Sequence, residues 1–153
     1  MTDSARRMGF TLIEVVVVVA VISLMTSIAI PAYLQYRRDA QAALFMNQLR
    51  VARDAFKSYN IKNGTYPPDM PCGEEPSIMH GYLPHMNWSN ATPIGGLWDW
   101  DATNYGISYG LSVREPDRTD EEMREIDMHV DDGNILTGNF LKKVDRFIFV
   151  LEP

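Results

Sequence analysis

From Phe10 to Ile30 the chain reads FTLIEVVVVVAVISLMTSIAI, 21 residues with a single ionisable side chain, Glu14. At about 1.5 Å of rise per residue a helix of that length reaches about 32 Å, close to the roughly 30 Å hydrocarbon layer of a bilayer. The five valines Val15 to Val19 favour a strand in water. In lipid a lone strand leaves its amides unbonded, so a helix is required. A secretory signal also joins basic residues, here Arg6 and Arg7, to an apolar run. Such runs are usually about 7 to 15 residues long and end at a small-residue cleavage site. Here Pro31-Ala-Tyr-Leu-Gln-Tyr-Arg-Arg follows, and it continues as helix.

Glu14 needs compensation, because a carboxylate at the centre of a spanning helix costs about 2.5 to 3.5 kcal/mol on insertion scales, and less near an end. The passage Arg6-Arg7-Met8-Gly9-Phe10-Thr11-Leu12-Ile13-Glu14, with the apolar helix behind it, resembles the prepilin cleavage and methylation motif of type IV pilins and type II secretion pseudopilins. The resemblance implies that a membrane prepilin peptidase cuts between Gly9 and Phe10 and methylates the new amine of Phe10. It also implies that Glu14 pairs with the amine of an adjacent subunit and sets the register of a filament, and that Pro31 marks a kink. Breaking a pair of charges in a low dielectric strands the survivor, so such a pair gives specificity. Arg37 and Arg38 at the far end leave orientation ambiguous by the positive-inside rule. The resemblance resolves it, with the amino end cytoplasmic, the carboxy-terminal part in the periplasm of a bacterium, and the chain in the inner membrane before it enters an extracytoplasmic filament.

Beyond Pro31 the residues Ala42, Phe45, Leu49, Ala52, Phe56 and Tyr59 recur at alternating intervals of three and four, one stripe of an amphipathic helix. Asn63-Gly64 and Pro67-Pro68 end it. Six of the nine prolines fall in residues 61–96, which read as a long irregular loop. Gly95-Gly96 leads into a strand at Leu97 to Asp101, and Tyr105 to Val113 alternates as a second. Thr119 and Glu122 form a capping-box pattern before the helical spacing of Met123, Ile126 and Val130. Asp131-Asp132-Gly133-Asn134 reads as a turn, and Arg146 to Leu151 as a terminal strand. The expected fold class is α+β, a long kinked amino-terminal helix packed on a small antiparallel sheet. The expected organisation is a leader over 1–9, a membrane segment over 10–31, an amphipathic arm over 32–63 and a head over 64–153. Passage 59–67, YNIKNGTYP, is similar to a YxxxNGxYP run of the same family, whereas the paired cysteines of many pilins are missing.

Charge divides the chain: the arm holds six basic and two acidic residues, net +4, and the head six and sixteen, net −10. Such a dipole suits either a head stacked against a neighbour's arm or a basic face beside acidic lipid headgroups. The total of −6 has the wrong sign for binding nucleic acid. With Cys72 alone there is no internal disulfide and no zinc spacing.

Asp127, Asp131, Asp132 and Asn134 offer hard oxygen ligands to calcium, the one cofactor the residues suggest, although their spacing is not that of an EF-hand. An acidic turn with an Asx cap accounts for the same four. His80, His85 and His129 come with no nucleophile pattern and read as surface or packing histidines. Trp88, Trp98 and Trp100 form either an aromatic binding platform or the filling between sheet and helix. No set of residues calls for catalysis. The leading expectation is a non-enzymatic filament subunit whose partners are prepilin peptidase, other subunits and the inner membrane; the alternative is a membrane-anchored binding module that does not polymerise.

Overall fold

The computed structural model describes residues 10–83 and 86–152. The leader over 1–9, with Arg6, Arg7 and Gly9 of the motif, lies outside the described residues, as does His85. Two compact units part between Arg38 and Asp39.

Helix α1 (Leu12–Asn63) runs without interruption through Pro31. Over residues 10–38 every described side chain is exposed. An 18-residue window of that part reaches a mean hydropathy of 2.6, long and apolar enough to cross a membrane. Its few hydroxyls are turned inward on the backbone: Ser23, Thr26 and Ser27 donate to the carbonyls of Val19, Ile22 and Ser23 at 2.7, 2.9 and 2.7 Å. Each is thereby satisfied without water.

In the second unit the anticipated stripe is buried, with Phe45, Leu49, Ala52 and Phe56 fully inside. Against it lies an antiparallel sheet of β1 (Leu97–Ala102), β2 (Tyr109–Arg114), β3 (Phe140–Lys143) and β4 (Arg146–Glu152) in the order β1-β2-β4-β3. Trp98 stacks on Phe45 with ring centroids 5.0 Å apart, and Trp100 on Phe56 at 4.0 Å. Trp88 meets Phe56 edge-on at 6.3 Å. The tryptophans therefore fill the space between sheet and helix. Helix α2 (Asp120–Val130) has the expected capping box, Thr119 and Glu122 satisfying each other's amides.

Among the described residues the proline-rich stretch is irregular from Gly64 to Gly96 apart from a single 3-10 turn at Ser77–Met79. It is nevertheless pinned along β1. Trp100 Nε1 donates to the Pro67 carbonyl at 3.1 Å, the Ala102 amide to Asp69 Oδ1 at 2.9 Å, and the Gly73 amide to the Trp98 carbonyl at 2.9 Å. A sheet edge that would otherwise present free amides is thus covered.

Three expectations need correction. Residues 61–63 belong to α1 and not to the loop. The second strand begins at Tyr109, because Tyr105 and Gly106 take left-handed φ values of 54° and 78° and turn the hairpin. The sheet also has a fourth strand, β3, too short to show a period.

Candidate functional site

The amino end of α1 carries the residues of the motif. Phe10 precedes the helix with 85% of its surface exposed. Thr11 stands at the N-cap, its amide and hydroxyl both donating to Glu14 Oε2 at 2.8 Å, while its hydroxyl accepts from the Glu14 amide at 3.3 Å. Glu14 is therefore the reciprocal half of a Thr-x-x-Glu capping box as well as an exposed acid on an apolar rod. The sequence carries the signal for this, a Thr followed three residues later by a Glu just before an apolar run.

In the head, α2 delivers Asp127 to the turn that follows it. The Asp127 side chain is fully buried, and neither carboxylate oxygen has a partner in good hydrogen-bond geometry, although the Gly133 backbone and the Asp132 carboxyl lie near enough to act on it. One carboxylate oxygen from each of Asp127, Asp131 and Asp132 falls within 4.8 Å of the others. The loop that holds them is built by their own hydrogen bonds. Asp132 accepts from the Asn134 amide and the Thr137 hydroxyl, each at 2.8 Å, while both Asp131 oxygens accept from Asn139. Asn134 is engaged likewise, its Oδ1 accepting from the Leu136 amide at 3.2 Å. Gly133 bends the chain at φ 81°. Burial, with Asp132 and Asp131 nearby, pushes the Asp127 carboxyl up to about 6. The hydrogen bonds from Asn134 and Thr137 hold Asp132 below its ordinary value. A buried, unbonded carboxylate beside two others is a place for a proton or a cation.

A second charged group lies on the sheet. Successive side chains of β1 alternate, so Asp99 and Asp101 lie on the sheet face opposite the tryptophans, and they are buried too. Arg146 Nη1 donates to Asp99 Oδ2 at 2.6 Å and to Asp101 Oδ1 at 2.9 Å, and the Ser112 hydroxyl donates to Asp101 Oδ2 at 2.6 Å. Tyr105 covers the guanidinium at 4.4 Å. Burial, reinforced by Asp101, pushes Asp99 up to about 6. The alternating Trp-Asp-Trp-Asp sequence was the available signal. Cys72 is half-buried, its thiol raised by burial and then by Asp99.

The remaining candidates are dispersed. His80 sits by the Ser77 carbonyl and His129 by the Glu125 carbonyl of its own helix, and the structure does not bring them together.

Comparison with known proteins adds independent findings. Residues 6–30 match the family model described as the prokaryotic N-terminal methylation motif. The fimbrial protein EcpC of Eikenella corrodens is 36% identical over 103 residues, covering 67% of this chain and 67% of that protein. The type IV major pilin protein PilE1 of Neisseria gonorrhoeae is 32% identical over 65 residues, 42% of this chain but only 30% of that protein's length. The solved structure of the major type IV pilin PilA1 from Clostridium difficile shares the fold, with a TM-score of 0.55 at 16% identity, covering 76% of this chain and 97% of that one.

Proposed function

This chain belongs to the type IV pilin family, and from that premise we propose that it is the precursor of a filament subunit, cut after Gly9, N-methylated on Phe10 and assembled through its apolar helix. The observation that carries this reading is Glu14, the one acid on a rod whose other described residues over 10–30 are neutral and exposed. In the capping box it holds the Thr11 amide, and the same carboxylate is the acceptor closest to hand for a cationic amine created at Phe10. The subunit is a structural one and not an enzyme. It lies in the bacterial inner membrane with its amino end cytoplasmic and its head periplasmic, processed there by prepilin peptidase. Pro31, which withholds one backbone donor, gives the spanning helix its bend. The similar proteins are pilins and a fimbrial protein, which favours a pilus over a secretion pseudopilus.

The unbonded Asp127 favours one addition, that Asp127, Asp131 and Asp132 hold calcium with Asn134 at their rim.

Mass spectrometry of the mature protein tests processing, and the expected amino terminus is N-methylated Phe10. Glu14→Ala should retain that processed end while filaments disappear from sheared-cell fractions. An uncut Met1, or normal filaments from the Glu14→Ala chain, would overturn the assignment.

A further inference from the structure

A cavity of about 260 Å³ opens on the head unit where α1 passes α2 and β4. Its floor is apolar, from Met46, Leu49, Val130 and Phe149, and its rim is polar, from Asn47, His129, Arg50 and Arg53, of which Arg53 is paired with Asp54 at 2.9 Å and Arg50 carries the basic charge. Arg53 lies 5.9 Å over the Phe149 ring, holding the rim against the floor. A basic rim on an apolar floor fits an apolar side chain flanked by acids.

The head presents such a group. Leu136 is 73% exposed and Met128 is 62% exposed. Near Met128 stand the exposed acids Glu125 and Asp132, with Glu121 a further turn back along α2 and one exposed base, Arg124, among them. Positions 121, 124, 125 and 128 share one face of α2, on which two acids outnumber Arg124. Val144, another strongly exposed aliphatic residue of the head, follows Lys142 and Lys143, whose charge does not suit the basic rim. Met128 and Val130 point about 200° apart around α2, at about 100° per residue. Met128 therefore points away from the groove that Val130 lines and does not fill it in its own molecule. Contact between unlike faces is heterologous and extends without closing unless its rotation makes a ring.

Resting on the filament reading above, we propose that the groove lined by Met46, Asn47, Arg50 and Phe149 receives the acidic Met128–Leu136 corner of a second copy of this chain. The contact is a head-to-head joint distinct from the packing of the apolar helices, and it sets which face of one subunit meets the next.

The test uses the full-length chain in cells that assemble it. In a Cys72→Ser background, Asn47→Cys combined with Leu136→Cys should give an oxidised ladder of dimers and higher oligomers in the filament fraction. Either cysteine alone should give none. Arg50→Glu should lower filament yield about tenfold or more at unchanged subunit level, since like charges then face each other. Adding Glu125→Arg should restore it. Filaments without the ladder, wild-type yield from Arg50→Glu, or a loss that Glu125→Arg does not rescue would each overturn the joint; unrescued loss together with weaker membrane association would assign Arg50 to lipid headgroups. If Glu14→Ala abolishes filaments while these variants do not, the joint alone falls. If the wild-type chain forms no filament, the filament reading itself falls.

Discussion

Asp127 is a residue whose surroundings set opposite demands at different pH values. Its folded-state carboxyl titrates near 6, above the ordinary 3.8, so the folded chain binds that proton more tightly than the unfolded one does. This contribution to stability is complete below about pH 3.8 and is lost as pH rises through 6. Calcium would reverse the sign, since it binds the ionised form. Asp127→Asn removes the buried charge and leaves the shape nearly unchanged. In chelator the variant should therefore melt above wild type at pH 7.5 and level with it near pH 4. About 1 mM calcium should raise the wild-type melting temperature and leave the variant's unmoved. Equal melting of both proteins with calcium and with chelator would remove the site. Asp131 and Asp132 are poorer probes, because each also holds the loop by accepting backbone amides.

At the level of elements, each segment was legible in the sequence to the extent that one face decides its burial. The arm of α1 shows Phe45, Leu49, Ala52 and Phe56 at helical spacing because a single stripe meets the sheet. The first turn of α2 is written in Thr119 and Glu122. By contrast β3 has four residues and one fully buried side chain, Phe140, so no alternation betrays it. Asp99 and Asp101 look like the solvent face of a strand, and their burial depends on Arg146 from β4 and Tyr105 from a turn, partners remote in sequence. Of the candidate sites, Glu14 and the acidic turn were visible as residue types. The Thr11–Glu14 capping box is written in its spacing, as that of α2 is, whereas the orphaned oxygens of Asp127 depend on backbone geometry. Two substitutions separate these element-level contributions. Phe56→Ala, which opens a void under Trp100 and Trp88, should lower stability by about 3 to 5 kcal/mol in urea melts of the full chain in detergent. Arg146→Met leaves two buried carboxylates without their cation and should lose a similar amount, about 3 to 5 kcal/mol. Further adding Asp99→Asn and Asp101→Asn should recover most of that loss, because neutral partners need no counter-charge. If Arg146→Met alone leaves the urea midpoint unchanged, the triad does not hold β1 to β4.

Over the whole molecule, charge and apolarity are kept in separate stretches of chain. Residues 10–31 carry the membrane-type surface and one acid, the arm carries +4, and the head carries −10. A polymer of such subunits is held by two kinds of contact with different sensitivities. Exposed ion pairs weaken with salt, since the screening length falls from about 8 Å at 0.15 M to about 3 Å at 1 M. Burial of apolar helices is not weakened by salt and is dissolved by detergent. Filaments raised from 0.15 to 1 M sodium chloride should therefore loosen at the head joint, shortening under shear in electron micrographs while releasing little monomer. Detergent should release monomer at either salt concentration. The Arg50→Glu, Glu125→Arg pair should keep the same salt response as wild type, because the exchange preserves the number of charges at the joint. Arg50→Gln with Glu125→Gln should blunt it. A salt response identical in all of these chains would place the screened contacts elsewhere, among the other charges of the arm and head.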